Sequence, residues 1–329
     1  SSGDVEISIP ENVAFDASAN GNYYADFSIR FDNDRPQIEI LNPEDGSVHN
    51  GTFSIEVKAT DNEGLGQFVI NLYNSSGFLA SCVNENAGGV NEYTATCTID
   101  TLQHPDGEYS IRTNARDTVG NLSSTLSRTF VFDNTAPVVE ITSPNDEGLY
   151  NTDVTLSGTV TDDNPHHYWL KIVKDGTTLN IPGITGEQSS TEFTTILTED
   201  GEYHVTFAAR DAAGGTSRSG NRSNDINMSF TIDQTSPMGA IEGLRYSRGD
   251  VNYFSTNNNT PTIFGTYSDL NGIKSISVDI NGITPTSGSG DNTSWEVTFP
   301  TISDGTYTLT ALIEDNAGNQ TTLTQEITI

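Results

Sequence analysis

The sequence predicts an all-β chain of β-sandwich domains that follow one another in an elongated tandem array. Apolar and polar residues alternate over short runs, as in 275–280 and 306–312, and this period of two is typical of half-buried strands. Turn residues recur at the spacing expected between the strands of a sandwich. Three sequence landmarks also recur three times along the 329 residues, about 100 residues apart, which is the length of one sandwich domain.

The three landmarks occur in the same order in every repeat. The first is an acidic segment that ends in proline, at 31–36, 132–137 and 232–237. The second is Asp-Gly-x-Tyr, at 106–109, 200–203 and 304–307. The third is Asp-x-x-Gly, which begins 11 residues after the start of the second. The landmarks predict domains at 36–136, 137–236 and 237–329.

Residues 1–35 do not complete a repeat. The segment 27–32 is similar to 129–133, which ends a predicted domain. We therefore predict that residues 1–35 contain the terminal strand or strands of a preceding or capping domain.

Two of the landmarks have defined places in a sandwich. Asp-Gly-x-Tyr is the turn into the sixth strand, and its tyrosine stands where immunoglobulin-like sandwiches carry a tyrosine corner. Asp-x-x-Gly fits a type I turn between strands six and seven. From 36 to 329 the chain resembles the tandem immunoglobulin-like repeats of bacterial surface proteins, including large adhesins. The resemblance rests on the A-R-D-x-x-G-N, D-N-x-x-P and D-G-x-Y motifs. It implies a location outside the cell or on the bacterial surface.

The charge of the chain argues against some partners. Acidic residues number 45 against 14 basic ones, which gives a net charge of −31. Phosphate groups would be repelled, so we expect no nucleic-acid partner. The anionic face of a membrane is disfavoured for the same reason. No run of about 18 apolar residues occurs, so direct membrane insertion is not expected.

The two cysteines, Cys82 and Cys97, lie on either side of a turn-like segment at 86–90. A hairpin folded at this segment would place them opposite each other on neighbouring strands, close enough for a disulfide. The sequence therefore predicts a disulfide bond, and with it an oxidising compartment outside the cytosol.

Aspartates recur in three segments that meet at one end of a sandwich: the incoming linker, the loop between strands two and three, and the loop between strands six and seven. Converging carboxylates need a neutralising partner, and Ca²⁺ accepts six to eight oxygen ligands in flexible geometry. The pattern resembles a reduced form of cadherin joints, which implies calcium between domains. The candidate ligands are Asp32, Asp34, Asp61 and Asp117 in the first repeat, Asp133, Asp162 or Asp163, and Asp211 in the second, and Asp233, Asp269 and Asp315 in the third.

A purely structural role for these aspartates is the alternative. Aspartate at the first position of a turn commonly accepts hydrogen bonds from its own backbone. Asp117 and Asp211 could also pair with Arg116 and Arg210 of the same motif.

Four aromatic residues are candidates for contact with a ligand. Counted from Asp162, Trp169 is a core residue of the third strand, and this assignment is favoured. Counted back from the Asp175-Gly176 turn, Trp169 is exposed, because a slip of one residue exchanges the two faces of a strand. Exposed, it would be a candidate for stacking on a sugar. The first connection of the third repeat is long and adds Tyr246, Tyr253 and Phe254, although a disordered insertion is the simpler interpretation.

Catalysis finds no support in the motifs. The sequence has no G-x-S-x-G, no phosphate-binding glycine loop and no H-E-x-x-H. We predict a non-catalytic adhesin or stalk whose partner is a host or neighbouring cell-surface protein or glycan. The alternatives are a glycan-binding or accessory module of a secreted enzyme, and a structural component of a surface layer.

Overall fold

The computed structural model describes residues 2–214, 219–246, 249–251, 254–291 and 293–329. In this part of the chain the regular elements are β-strands, apart from one 3-10 helix at Thr101–Gln103. No helix among these residues is long and apolar enough to cross a membrane. Contacts between Cα atoms divide the chain into two compact units, which are Ser1–Val138 with Thr161–His167 and Ala209–Ser223, and Val139–Val160 with Tyr168–Ala208 and Asn224–Ile329.

The first strands form a hairpin followed by two sheets. The hairpin consists of β1 (Gly3–Ile9) and β2 (Ala25–Phe31). The strands that follow are β3 (Gln37–Asn42), β4 (Ser47–His49), β5 (Thr52–Thr60), β6 (Leu65–Asn74), β7 (Gly77–Asn86), β8 (Glu92–Asp100), β9 (Gly107–Asp117) and β10 (Leu126–Phe132). They form a three-stranded sheet in the order β3-β5-β8 and a five-stranded sheet in the order β4-β10-β9-β6-β7. We call this pair the first sandwich.

A second pair of sheets follows. Its strands are β11 (Val138–Ser143), β12 (Gly148–Tyr150), β13 (Val154–Thr161), β14 (Pro165–Lys174), β15 (Thr177–Thr178), β16 (Gly186–Gln188), β17 (Glu192–Leu197), β18 (Gly201–Asp211) and β19 (Ile226–Ile232). The sheet orders are β11-β13-β17 and β12-β19-β18-β14-β15, with β16 paired to β14.

The third pair of sheets lies in the second compact unit. Its strands are β20 (Met238–Tyr246), β21 (Gly249–Val251), β22 (Thr262–Ser268), β23 (Ile273–Ile280), β24 (Ser287–Gly290), β25 (Ser294–Thr298), β26 (Thr306–Asp315) and β27 (Gln320–Thr328). They form sheets in the orders β21-β20-β22-β25-β24 and β23-β26-β27. The predicted all-β class is therefore confirmed.

The core of the first sandwich forms between its two sheets. Along β5, Ile55, Val57 and Ala59 are buried at every second position, as the alternation predicts. They belong to one cluster with Phe130 and Phe132 of β10 in the opposite sheet. A similar cluster in the third pair of sheets contains Trp295, which is 2% exposed.

The disulfide between Cys82 and Cys97 is present, with the two Cα atoms 5.9 Å apart. The hairpin predicted to hold it is wrong. Cys82 lies on β7 and Cys97 on β8, and these strands belong to different sheets of the first sandwich. Because β7 and β8 are edge strands of their sheets, the bond joins the two layers at one edge of the sandwich.

Three tyrosines make the predicted corner. The hydroxyl groups of Tyr109, Tyr203 and Tyr307 donate to the carbonyl oxygens of the residues four positions earlier, Pro105, Glu199 and Ser303, at 2.8, 2.8 and 2.9 Å. Tyr109 and Tyr203 are buried. The corner fixes the turn that leads into β9, β18 and β26.

We expect Tyr203→Phe to lower the free energy of unfolding by about 0.5 to 1.5 kcal/mol, because it removes the part-buried hydrogen bond to the Glu199 carbonyl. The apolar packing of the ring would be kept. Chemical denaturation of the variant and the parent chain measures the loss, and equal midpoints would show that the hydroxyl contributes nothing.

Candidate metal centre

Three groups of aspartates converge in the structure. In each group, one carboxylate oxygen from every member lies within 4.8 Å of the others. The first two groups lie in the first compact unit and the third lies in the second unit. The groups are Asp32, Asp61 and Asp117; Asp133, Asp162 and Asp211; and Asp233, Asp269 and Asp315.

The two remaining candidates lie outside these groups. The Asp34 carboxylate accepts a hydrogen bond from the Ser2 hydroxyl at 2.9 Å. Asp163 is exposed beside Asp162. Of the two alternatives in the second repeat, the structure thus places Asp162 in the group.

Strand ends explain the convergence. The linker aspartates follow the last residues of β2, β10 and β19, and the loop aspartates follow β5, β13 and β22. The third members, Asp117, Asp211 and Asp315, are the last residues of β9, β18 and β26. Each group therefore collects three strand ends at one edge, as the repeat pattern predicts.

The third member of each group also caps its own turn. Asp117 Oδ1 accepts the backbone N–H groups of Val119, Gly120 and Asn121 at 2.9, 2.6 and 2.8 Å. Asp315 Oδ1 accepts those of Gly318 and Asn319 at 2.7 and 2.8 Å. The structure therefore contains the turn capping that the alternative interpretation predicted, and the same carboxylates also face the other two members of their groups.

The arginines of the same motif bind backbone oxygens. Arg116 donates to the carbonyl of Gly120 at 3.1 Å, and Arg210 donates to that of Gly220 at 2.8 Å. These bonds hold the turn that carries the third aspartate.

An asparagine connects each of these turns to the incoming linker. Asn319 Nδ2 donates to Asp315 Oδ2 at 2.9 Å and to the Asp233 carbonyl at 2.7 Å. Asn221 makes the same pair of bonds, to Asp211 Oδ2 at 2.7 Å and the Asp133 carbonyl at 2.8 Å. This role was not predicted from the sequence. The asparagine of the repeated motif could have indicated it, but in the second repeat this residue stands ten positions after the aspartate instead of four.

A second asparagine bonds the linker aspartate in the second and third groups, whereas the first group has a glutamate at this position. Asn164 Nδ2 donates to Asp133 Oδ2 at 2.9 Å, and Asn271 Nδ2 donates to Asp233 Oδ2 at 2.8 Å. The first repeat has Glu63 at this position, and its carboxylate pairs with Arg30.

The first group has two unpaired oxygens. Asp32 Oδ2 and Asp61 Oδ2 are both buried and have no hydrogen-bond partner among the residues that the structure describes. Asp61 itself is only 9% exposed. Buried carboxylate oxygens without a donor are costly unless a cation neutralises them.

Burial and mutual repulsion shift the acidity of the groups. Burial, followed by the charges of Asp133, Asp211 and Asp163, raises the pKa of Asp162 to about 6. Burial also raises the pKa of Asp61, and the charges of Asp117 and Asp32 add to the effect. The pKa of Asp269 is raised in the same way, first by burial and then by Asp233 and Asp315. Each group thus contains at least one carboxyl whose charged form is disfavoured. In the first group the pKa of Asp32 is shifted the other way, because the Ser2 hydroxyl and the Asp34 N–H donate to its carboxylate.

The donor set fits a hard divalent cation. Ca²⁺ binds oxygen at 2.3–2.6 Å, so two of its ligands lie at most about 5 Å apart. The spacing within each group meets that condition. Carboxylates and backbone carbonyls are the ligands that Ca²⁺ prefers, and both kinds of oxygen lie at these strand ends.

The structure describes the side chains of two of the four aromatic candidates, Trp169 and Phe254. Trp169 is 42% exposed, whereas Tyr168 and Leu170 are buried, so the favoured core assignment of Trp169 is wrong. His167 and Tyr168 are buried in succession, which shifts the alternation by one residue after the loop. Phe254 is half-buried, and its carbonyl accepts the Thr328 N–H at 2.8 Å. Tyr253 and the side chain of Tyr246 lie outside the described residues.

Comparisons with known proteins agree with the strand pattern. Residues 36–112 match the model of a bacterial Ig domain, and residues 250–329 match that of a bacterial Ig-like domain. Residues 92–174 match a bacterial Ig-like domain of group 3, and this match crosses the predicted boundary at 136. Comparison with curated proteins finds no match.

Solved structures with several sandwich domains are similar to this chain. A tetra-tandem repeat from the extending region of a large adhesion protein is 19% identical, with a TM-score of 0.36, and the match covers 100% of this chain and 82% of that one. Fibronectin(III)-like modules of Clostridium thermocellum CbhA are 15% identical over 60% of this chain and 94% of theirs, with a TM-score of 0.31. An ICAM-5 D1–D4 ectodomain fragment is 10% identical over 99% of this chain and 83% of that one, with a TM-score of 0.42. On its family matches, this chain is a tandem array of bacterial immunoglobulin-like domains.

Proposed function

We propose that this chain is a non-catalytic, extracellular segment of a bacterial surface protein, and that it acts as an adhesin or stalk stiffened by calcium. Bacterial Ig-like domains typically occur in extracellular or surface proteins, and this chain carries them in tandem. The observation that carries the calcium proposal is the aspartate group, formed three times from the same three strand ends.

The linkers support a stalk, because hydrogen bonds hold them at both ends. In the first unit, Asn134 donates from N and Nδ2 to Asp106 Oδ1 at 2.9 and 2.8 Å, while the neighbouring Asp133 carbonyl accepts from Asn221. In the second unit, Gln234 N donates to Asp200 Oδ1 at 2.9 Å. Linkers fixed in this way retain little of the conformational freedom of a flexible tether.

A bound cation would offset the repulsion among the three carboxylates of each group. Three carboxylates oppose one another at the place where a linker enters, and burial strengthens the repulsion. Calcium bound there would turn repulsion into attraction between linker, loop and turn. The same contacts would then stiffen the array.

We expect calcium to raise the midpoint of thermal unfolding above its value in chelator. One site held at 100 times its Kd contributes about 2.7 kcal/mol. Calorimetric titration measures the stoichiometry, and magnesium at equal concentration is the control, because it requires stricter octahedral geometry. An unchanged midpoint together with no heat of binding would remove calcium from the proposal.

Binding of a glycan is the second candidate, and the exposure of Trp169 favours it. An indole ring on a strand face can stack on a sugar ring. A glycan array probed with the chain and with Trp169→Ala tests this function. Signals that do not differ between the two would exclude Trp169 as a contact. A structural role in a surface layer is the remaining alternative and predicts self-association in solution.

A further inference from the structure

The N-terminal hairpin has one apolar face. Among the described strands, β1 and β2 pair only with each other, and their register places Val5 opposite Ile29 and Ile7 opposite Phe27. Directly opposed residues share a face, so the alternation collects the apolar side chains on one side. The face consists of Val5, Ile7, Ile9, Phe27, Ile29 and Phe31.

This apolar face is exposed. Its six side chains are between 38% and 55% accessible. The opposite face is polar, with Asp4 paired to Arg30 and Glu6 to Ser28. An isolated two-stranded hairpin is marginally stable in water, and a contiguous apolar patch marks a contact surface.

The register of the hairpin repeats that of the last two strands in the first sandwich. Gly3 pairs with Phe31 as Gly107 pairs with Phe132, and Val5 pairs with Ile29 as Tyr109 pairs with Phe130. The strands β18 and β19 pair in the same way. In every case the linker aspartate follows directly.

The loop of the hairpin repeats the turn that holds the third aspartate of each group. Asp16 Oδ1 accepts from Ser18 N at 2.8 Å and Asn20 N at 3.0 Å, and Asp16 Oδ2 accepts from Asn20 Nδ2 at 3.0 Å. Asp16 N donates to the Asn20 carbonyl at 3.0 Å, as Asp117 N does to the Asn121 carbonyl at 3.1 Å. Ala19 has a φ of 65° at the position where Gly120 has 107°.

The corresponding face of the first sandwich is covered by the three-stranded sheet. Tyr109, Phe130 and Phe132 are buried in the core cluster that also contains Ile55 and Val57 of β5. The ring of Phe53 on β5 lies 5.4 and 5.7 Å from the rings of Phe130 and Phe132.

We propose that the apolar face of β1 and β2 docks onto the inner face of a bacterial Ig-like half-sandwich. The occupant is a set of strands equivalent to β3–β8, whose three-stranded sheet covers the hairpin and completes a further domain. This assignment extends the array by one domain and is independent of calcium.

Hydrogen exchange of the full chain and of an N-terminally extended chain tests the proposal. The extension is a second copy of residues 36–105, joined directly before Ser2, so that it supplies the equivalent strands. We expect the amides of β1 and β2 to exchange rapidly in the chain itself. In the extended chain they should exchange about 100-fold more slowly, as in a covered sheet.

Two neighbouring substitutions make the test specific. Phe27→Lys on the apolar face should abolish the protection in the extended chain, whereas Ser28→Lys on the polar face should leave it. Unchanged exchange in the extended chain, or hairpin amides in the chain itself that are already as protected as those of β9, would overturn the proposal. A dimer of the chain that Phe27→Lys dissociates would assign the face to a second copy and overturn it as well.

Discussion

Replacing both cysteines with alanine is expected to lower the free energy of unfolding of the first sandwich by about 3 kcal/mol. The disulfide closes a loop with a sequence separation of 15. Closing a loop of that length lowers the conformational entropy of the unfolded chain, which stabilises the folded state by about 3 kcal/mol. Because the bond joins the edge strands of the two sheets beside the buried cluster, its loss also removes a covalent link between the layers. Denaturant unfolding of the Cys82→Ala/Cys97→Ala chain measures the change.

Reduction of the parent chain is the matched comparison. A reducing agent should bring the parent chain close to the stability of the double variant and should leave the variant unaffected. A parent chain with unaltered stability after complete reduction would contradict the expected contribution.

Asp162→Asn is expected to have opposite effects with and without calcium. In chelator near pH 7 it removes one of three repelling charges, and we expect stabilisation of about 1 to 2 kcal/mol after screening is allowed for. Asparagine can still accept the bond from Asn164 N, so the turn is kept. In the presence of calcium, the affinity of this group for Ca²⁺ should fall about tenfold or more, because the number of charged ligands determines the Kd.

The pH dependence of unfolding tests whether Asp162 acts on stability through its charge. The ordinary pKa of Asp162 is 3.8 and its folded value is about 6. Between these values the folded chain holds a proton that the unfolded chain has lost. In chelator, the free energy of unfolding should therefore fall as pH rises through this window, and Asp162→Asn should flatten the slope. Asp163→Asn, at the exposed neighbour, is the control, and an equal effect of both variants would contradict the role of the group.

Periodicity and repeated landmarks were enough to predict the sandwiches, the tyrosine corners and the convergence of the aspartates. These features follow from local chemistry, because a strand end fixes the place of the next residue and the repeat supplies three independent copies. Asp162 could not be separated from Asp163 in sequence, since the choice depends on the exact end of β13.

Predictions from the sequence failed where a shift of one residue exchanges the two faces of a strand, or where a strand pairs with a partner that is distant in the sequence. Trp169 was misplaced because two successive residues, His167 and Tyr168, are both buried. The disulfide was assigned to a hairpin because strand pairing is non-local, and β8 pairs with β5 instead of β7. The turn at Asp16 was missed because Ala19 replaces the glycine of the motif.

The bond between the layers has a mechanical consequence. A stalk on a cell surface bears tension, and a sandwich that yields under pulling lengthens by the contour of the released chain. Between Cys82 and Cys97 that contour is about 50 Å, whereas the cross-link holds the two Cα atoms 5.9 Å apart. The first sandwich would therefore release a correspondingly shorter extension at each rupture, and its force–extension trace would differ from those of the domains that follow it.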